Sequence, residues 1–133
     1  MRIVLDTNVL VSGLLSHGGP PSLILDLVEA GRLKVLYDDR VMLEYREVLA
    51  RPRFSFSAES VAAIIELLEE TGERTAAAPL DVELRDPDDL PFLEVAVRGK
   101  ADALVTGNTR HFPAEYSGVP ILSPAAFLAF LMS

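Results

Sequence analysis

Ile3-Val4-Leu5-Asp6-Thr7-Asn8-Val9-Leu10, almost at the amino terminus, is the segment from which the rest of the chain can be placed. A short β-branched apolar run that stops at a carboxylate reads as a buried central strand. It delivers an acid to its carboxyl end, where open parallel sheets hold their ligands. Thr7 and Asn8 follow at once and can hydrogen-bond the acid or the turn, while Val9, Leu10 and Leu14 begin a helix-like apolar stripe. The plainer alternative is that Asp6 caps a helix or a turn.

Outward from that segment the chain alternates. Strands are expected at Arg2 to Asp6, Leu33 to Tyr37, Ala103 to Thr106 and Val119 to Leu122. Between them Pro21 to Glu29 has helical apolar spacing (Leu23, Ile24, Leu27, Val28) and ends at Gly31. A helix around Glu44 is stopped by Pro52, and another runs from about Ser57 to Glu70 with Val61, Ile64, Ile65 and Leu68 inward. The outer face of this last helix, Glu66, Glu69, Glu70 and Glu73, reads as solvated surface. Thr75 to Pro87 is a connection leading to a helix after Asp89, and Ser123 and Pro124 start a final helix through Leu131. Strands alternating with helices imply right-handed crossovers and a mostly parallel sheet covered on both faces, an α/β architecture. With 133 residues, half of them hydrophobic, residues 1–133 are expected to form one layered domain.

Two further acids are candidates for joining Asp6. A hard divalent cation takes oxygen ligands, and only a cation makes convergence of several carboxylates favourable. Glu44 lies between Val41, Tyr45 and Val48 on one helical face, the buried side, whereas Glu47 turns towards solvent. Asp89, in Arg85-Asp86-Pro87-Asp88-Asp89-Leu90-Pro91-Phe92-Leu93, precedes a helix whose Phe92, Leu93, Ala96 and Val97 form an apolar stripe. That position suits helix capping, and it also directs the acid along the face that packs on the sheet. Asp102, just before a strand, suits a turn and ranks below Asp89.

These segments together resemble a known family. Val4-Leu5-Asp6-Thr7-Asn8-Val9-Leu10, Glu44 within Leu-Glu-Tyr-Arg-Glu-Val-Leu, Asp86-Pro87-Asp88-Asp89 through Leu93, and Ala101-Asp102-Ala103-Leu104-Val105-Thr106-Gly107-Asn108 are similar to a PIN domain. More closely, they resemble the VapC-like ribonucleases of prokaryotic toxin-antitoxin systems. The resemblance implies a three-layer α/β/α fold with a short central sheet. It also implies metal-dependent endoribonuclease activity on single-stranded or structured RNA. In this picture Asp6, Glu44 and Asp89 hold one or two Mg2+ or Mn2+ ions, Thr7, Asn8 and Thr106 support them, and Asn108 is a weak ligand or positions a water. A homodimer and a small antitoxin covering the acidic site are the implied partners; Leu14, Leu15 and Phe54 are candidate contacts, which core packing explains as well. One departure stands out. Many family members carry a further aspartate at the position of Asn108 or three residues later, and here those positions hold Asn108 and His111. The amide keeps an oxygen donor but removes a charge, which opens the alternative of a catalytically weakened relative acting as an RNA- or protein-binding module. His111 could ligate a softer ion such as Mn2+, although a solvated loop histidine is the simpler reading.

The formal charge of −8 speaks against nucleic-acid binding only at first sight, because bound cations reverse the local sign of a carboxylate site. Arg46 and Arg110 are the candidate RNA contacts, with Arg51 and Arg53 near the end of the Glu44 helix; scattered surface arginines are the plainer account of each. The chain has no cysteine, which excludes disulfides and thiolate metal sites. There is no basic leader with a long apolar stretch and no run of roughly 18 apolar residues, so a cytoplasmic protein without a membrane span is expected. No Gly-x4-Gly-Lys-Ser/Thr loop or Gly-rich dinucleotide turn occurs. Asn8 stands where an aspartyl-phosphate phosphatase would carry its second acid.

Overall fold

The amino-terminal apolar run forms the central strand β1 (Arg2–Leu5), in which Ile3, Val4 and Leu5 are all fully buried. Successive strand side chains point to opposite faces, so burial of all three means that helices cover the sheet on both sides. The computed structural model describes all residues, Met1–Ser133. After β1 come α1 (Thr7–Leu15), α2 (Pro20–Glu29), β2 (Lys34–Tyr37), α3 (Asp39–Leu49), α4 (Ala58–Thr71) and β3 (Glu73–Arg74). The second half contains α5 (Leu90–Arg98), β4 (Ala103–Val105), β5 (Glu115–Tyr116), β6 (Val119–Leu122) and α6 (Pro124–Met132). Short 3-10 turns lie at Pro52–Phe54, Pro87–Asp89 and Thr109–His111.

The sheet runs β3-β2-β1-β4-β6-β5. All pairs are parallel except β5 with β6. The register sets Ile3, Val4 and Leu5 beside Ala103, Leu104 and Val105. Because the chain leaves β1 towards β2 and β3, then returns to place β4 on the other side of β1, strand order reverses between β1 and β4. In open α/β sheets the carboxyl ends of the strands at such a switch point form the binding crevice. Here the residues that follow those two strands are Asp6 and Thr106.

The helices fall into two packed groups. α2 packs on both α1 and α6, with α6 against β4 and β6, while α5 lies across β1, β2 and β4 with α3 beside it and α4 against α3 and β2. Gly13 lets α1 and α2 meet closely, since a Cβ there would stand 2.6 Å from Leu25 Cδ1. Tyr45 is wholly buried, its ring tilted against Phe92 at 6.2 Å between centroids, and its hydroxyl donates to the Leu5 carbonyl at 2.5 Å. This bond ties α3 to the last residue of β1.

The main elements match the sequence-based expectation, and three details differ. The stripe beginning at Val9 belongs to a complete helix, α1, which starts directly after Asp6. β3 and β5 were not anticipated: two residues carry no periodicity, and these strands exist because a neighbouring strand supplies their hydrogen bonds. Glu73 does not share the solvated face of α4; it lies in β3 and its carboxylate accepts from the Arg2 guanidinium.

Candidate active site

Asp6 occupies the N-cap position of α1, yet its carboxylate makes no cap hydrogen bond. It is 5% exposed. The carboxylate accepts instead from the Thr106 hydroxyl at 2.7 Å, across the switch point. Asn8 Nδ2 lies 3.4 Å from the same oxygen, and its Oδ1 accepts the Gly107 N–H at 3.0 Å. The backbone N–H of Asp6 donates to the Val105 carbonyl at 2.9 Å. Gly107 eases this approach, because a Cβ would crowd Asn8 Oδ1 at 3.2 Å. Thr7, Asn8 and Thr106 therefore all surround Asp6 or its neighbours, and they lock the ends of β1 and β4 together.

Glu44 reaches the same edge from α3. Its carboxylate accepts from the Thr7 hydroxyl, and the Tyr45 bond to Leu5 fixes the helix at the next residue. Asp89 arrives through the 3-10 turn Pro87–Asp89. It stands where that turn runs into α5, in helical backbone and with no cap hydrogen bond of its own, since Asp86 caps the turn by accepting the Asp88 N–H; it is 9% exposed. Its Oδ2 lies 3.2 Å from His111 Nδ1. Asp6 contrasts with Asp38, which accepts from the Val41 N–H and caps α3 conventionally. A buried aspartate at an N-cap that leaves the cap bond unmade is directed to another task.

The electrostatics tie these groups into one site. Burial is the chief cause that pushes Asp89 up to about 6, with the charges of Asp6 and Asp86 adding to it and His111 opposing. Asp6 is also raised, first by burial and slightly by Asp86, against the Thr106 hydroxyl, the Thr7 N–H and His111. Glu44 is raised by burial and by Asp6 and Asp88, while Thr7 and Arg51 work the other way. Tyr45 is held well above the usual phenol value by burial, with Asp6 and Glu44 contributing. Buried carboxylates that also raise one another at a crevice mark a candidate functional site.

Each residue singled out in the sequence can now be placed. Asp6, Glu44 and Asp89 share the carboxyl edge, with Thr7, Asn8 and Thr106 between them. Asn108 is exposed at the rim; its N–H donates to Thr106 Oγ1 at 3.0 Å, and its side chain makes no hydrogen bond. Arg110 lines a groove with Arg85, Gly107, Asn108, Thr109 and His111. Arg46 points elsewhere: it pairs with Glu69 of α4 at 2.9 Å and lines a groove between α3 and α4. Arg51 is the cation whose field reaches Glu44. Asp102 serves the opposite end of the sheet, accepting the Arg2 N–H at 2.9 Å. Of the candidate surface contacts, Leu15 is exposed while Leu14 and Phe54 pack partly on the core.

The sequence reading places neither Asp86 nor His111 in the ligand set: Asp86 enters only as part of its segment, and His111, weighed as a ligand for a softer ion, is taken more simply as a loop histidine. Asp86, Asp89 and His111 each offer a ligand atom, and these lie within 4.8 Å of one another. His111 is thus not a free loop histidine. The sequence contained a weak signal for Asp86, its place three residues before Asp89, but nothing local brings His111 next to them.

The donor set suits a divalent cation: oxygen-rich, crowded with like charge, and joined by a single imidazole in place of any neutralising lysine or arginine hydrogen bond. A family model described as PIN domain matches residues 2–110. No curated protein matches. Among solved structures, a chain in the crystal structure of VapBC2 from Rickettsia felis bound to a DNA fragment from their promoter is similar to this one. The TM-score is 0.58 at 16% sequence identity, covering 92% of this chain and 98% of that chain. At that identity the likeness is one of fold.

Proposed function

We propose that this chain, which belongs to the PIN domain family, is a divalent-cation-dependent endoribonuclease. Its substrate is single-stranded or structured RNA and its biological role that of the toxin in a prokaryotic toxin-antitoxin pair. The observation that carries the reading is the pair of buried aspartates, Asp6, which leaves α1 uncapped and accepts from Thr106 across the switch point, and Asp89, held beside His111. Both face the crevice between β1 and β4.

Asp6, Glu44 and Asp89 would hold the cation. Bound Mg2+ or Mn2+ supplies Lewis acidity, acidifying an attacking water and offsetting charge on the phosphoryl and leaving oxygens. The chain's own part is positional. Thr106 fixes the Asp6 carboxylate, Thr7 fixes that of Glu44, and Asn8 holds the two strand ends in register. Such supporting hydrogen bonds keep the carboxylates in one orientation as charge develops on the substrate. Asn108 at the rim is placed to orient a water, and Arg85 and Arg110 beside it are placed to meet a phosphate backbone.

The fold likeness to a chain of VapBC2, an assembly seen with promoter DNA, supports an antitoxin partner, and we add a homodimer to the proposal. Light scattering on the isolated protein is expected to give the dimer mass; a strict monomer at micromolar concentration would remove that part.

Cleavage of a labelled single-stranded RNA pool in Mg2+, Mn2+ or chelator tests the activity, with Asp6→Ala purified identically to expose contaminating ribonuclease. Turnover that needs both metal and Asp6 supports the nuclease. Asn108 in place of an acid favours the second reading, an RNA- or protein-binding module, and absence of cleavage by folded protein across a varied pool would establish that one instead.

A further inference from the structure

We infer that His111 is a nitrogen ligand of the site's cation, acting with Asp86 and Asp89, and that the site therefore favours first-row transition dications over Mg2+. The inference rests on the cation-dependent reading above and adds the identity of the donor set. It begins from an arrangement no single segment reveals. Asp86 and Asp89 lie on either side of Pro87 and Asp88, and His111 comes from the loop after β4; their donor atoms nevertheless lie within 4.8 Å of one another.

The separations fit ligands of a common ion. Neighbouring donors around an octahedral cation with bonds of about 2.1 Å stand about 3 Å apart, and opposite donors about 4 Å apart. His111 Nδ1 and Asp89 Oδ2 are 3.2 Å apart, the spacing of neighbouring donors. The backbone around His111 is also settled: its N–H donates to the Asn108 carbonyl at 2.9 Å, and the next residue, Phe112, is buried in the core. The imidazole is thus presented from an anchored loop, partly open to solvent, with room for exchangeable waters.

Metal preference follows from the donor type. Mg2+ is a hard ion that demands oxygen and gives up water reluctantly, so a neutral nitrogen in place of a carboxylate weakens its hold. An imidazole is a borderline donor suited to first-row transition ions, whose affinity rises along the series from Mn2+. Asp86, contributed by the connection between β3 and α5, restores a carboxylate to the cluster. The chain's other histidine, His17, lies in the exposed turn between α1 and α2 and serves as an internal control.

Mn2+ reports both binding and donor identity through its electron spin. Tag-free full-length protein would be titrated with Mn2+, following loss of the free-ion EPR signal, and the bound ion examined by pulsed EPR for modulation from directly bound 14N. Wild type and His17→Gln are expected to show imidazole modulation, and His111→Gln to lose it. Mn2+ affinity should fall by about tenfold or more in His111→Gln, given that even outer hydrogen-bonding partners of ligands cost 10–100-fold. Mg2+ affinity, measured by displacement of Mn2+, should fall less. Bound Mn2+ without nitrogen modulation, or modulation that persists in His111→Gln, would overturn the inference and leave the cation-dependent reading standing. Absence of Mn2+ binding would overturn both. If His111→Gln loses its fold by circular dichroism, the wild-type and His17→Gln spectra still decide the point.

Discussion

Asp89→Asn should make the metal-free protein more stable at alkaline pH than the wild type, and the size of the effect can be worked from the site. Asp89 is pushed from 3.8 up to about 6 by burial and by Asp6 and Asp86. A raised carboxyl holds a proton in the folded state that the unfolded chain has already released, so stability present below about pH 4 is lost as pH rises through about 6. A shift of about 2 units at about 1.4 kcal/mol each sets an upper bound of about 3 kcal/mol. The acid lies at a crevice where water and salt screen its neighbours, so about 1–2 kcal/mol is the expected share. Asparagine keeps the shape and removes the charge. Urea denaturation in EDTA at pH 4.5 and pH 8 measures the difference between variant and wild type at each end. That difference should favour the variant more at pH 8 than at pH 4.5 by about 1 kcal/mol, because at pH 4.5 the unfolded carboxyl is already mostly ionised and part of the effect is already present. Repeating the pair in a His111→Gln background removes any contribution from the imidazole. Adding Mn2+ should reverse the order, because only the wild type retains the full set of charged ligands and gains stability by binding. A difference that is flat with pH, or larger at pH 4.5, would refute the electrostatic account of the site.

Thr106→Val removes the hydroxyl that Asp6 accepts and that the Asn108 N–H donates to; metal affinity measured by titration should fall about 10–100-fold while the β-branched side chain keeps the strand intact. Tyr45→Phe deletes the donor to the Leu5 carbonyl and should cost about 1–3 kcal/mol in urea denaturation. Asn108→Asp should tighten Mg2+ binding if the rim position reaches the ion, because a charged oxygen replaces an amide; unchanged titration curves would place Asn108 outside the ligand set.

What the sequence made legible follows from where its periodicity is strong. β1, β2 and β4 are central and buried on both faces, so they read as continuous apolar runs, and Asp6 stands out as the residue where the first run stops. α3 and α5 read as stripes, and the acids Glu44 and Asp89 could be assigned to inward faces from spacing alone. The missing elements are those whose structure comes from distant partners. β3 and β5 are pairs of residues paired to a neighbour, and no local pattern marks them. The site shows the same division. Asp6, Glu44 and Asp89 interrupt apolar patterns and could be named; Asp86 and His111 do not interrupt any pattern. They become neighbours only because the order of strands reverses between β1 and β4, bringing the loop after β4 against the turn before α5. Arg46 illustrates the opposite error: its sequence distance from Glu44 is short, but two residues along a helix is close to half a turn, and the side chain faces Glu69 instead.

The acidic character of the chain bears directly on how such a site could take a polyanion. Asp6, Glu44, Asp86, Asp88 and Asp89 gather at one edge, and burial holds part of that charge in a setting where it is costly. A protein that kept these acids only for solubility would leave them on the solvated faces of α2 and α4, where Asp26, Glu29, Glu59, Glu66 and Glu70 already lie exposed. Concentrating them at the switch point instead raises the proton affinities of Asp6, Glu44 and Asp89 and makes their charged forms costly to the fold. A dication bound there, as proposed, would offset that cost and turn a repulsive edge into an attractive one for phosphate. Arg51, Arg85 and Arg110 around the rim extend the positive field without entering the carboxylate cluster. On the proposed reading, capture of cation and capture of nucleic acid are coupled by charge in a chain whose net charge is −8.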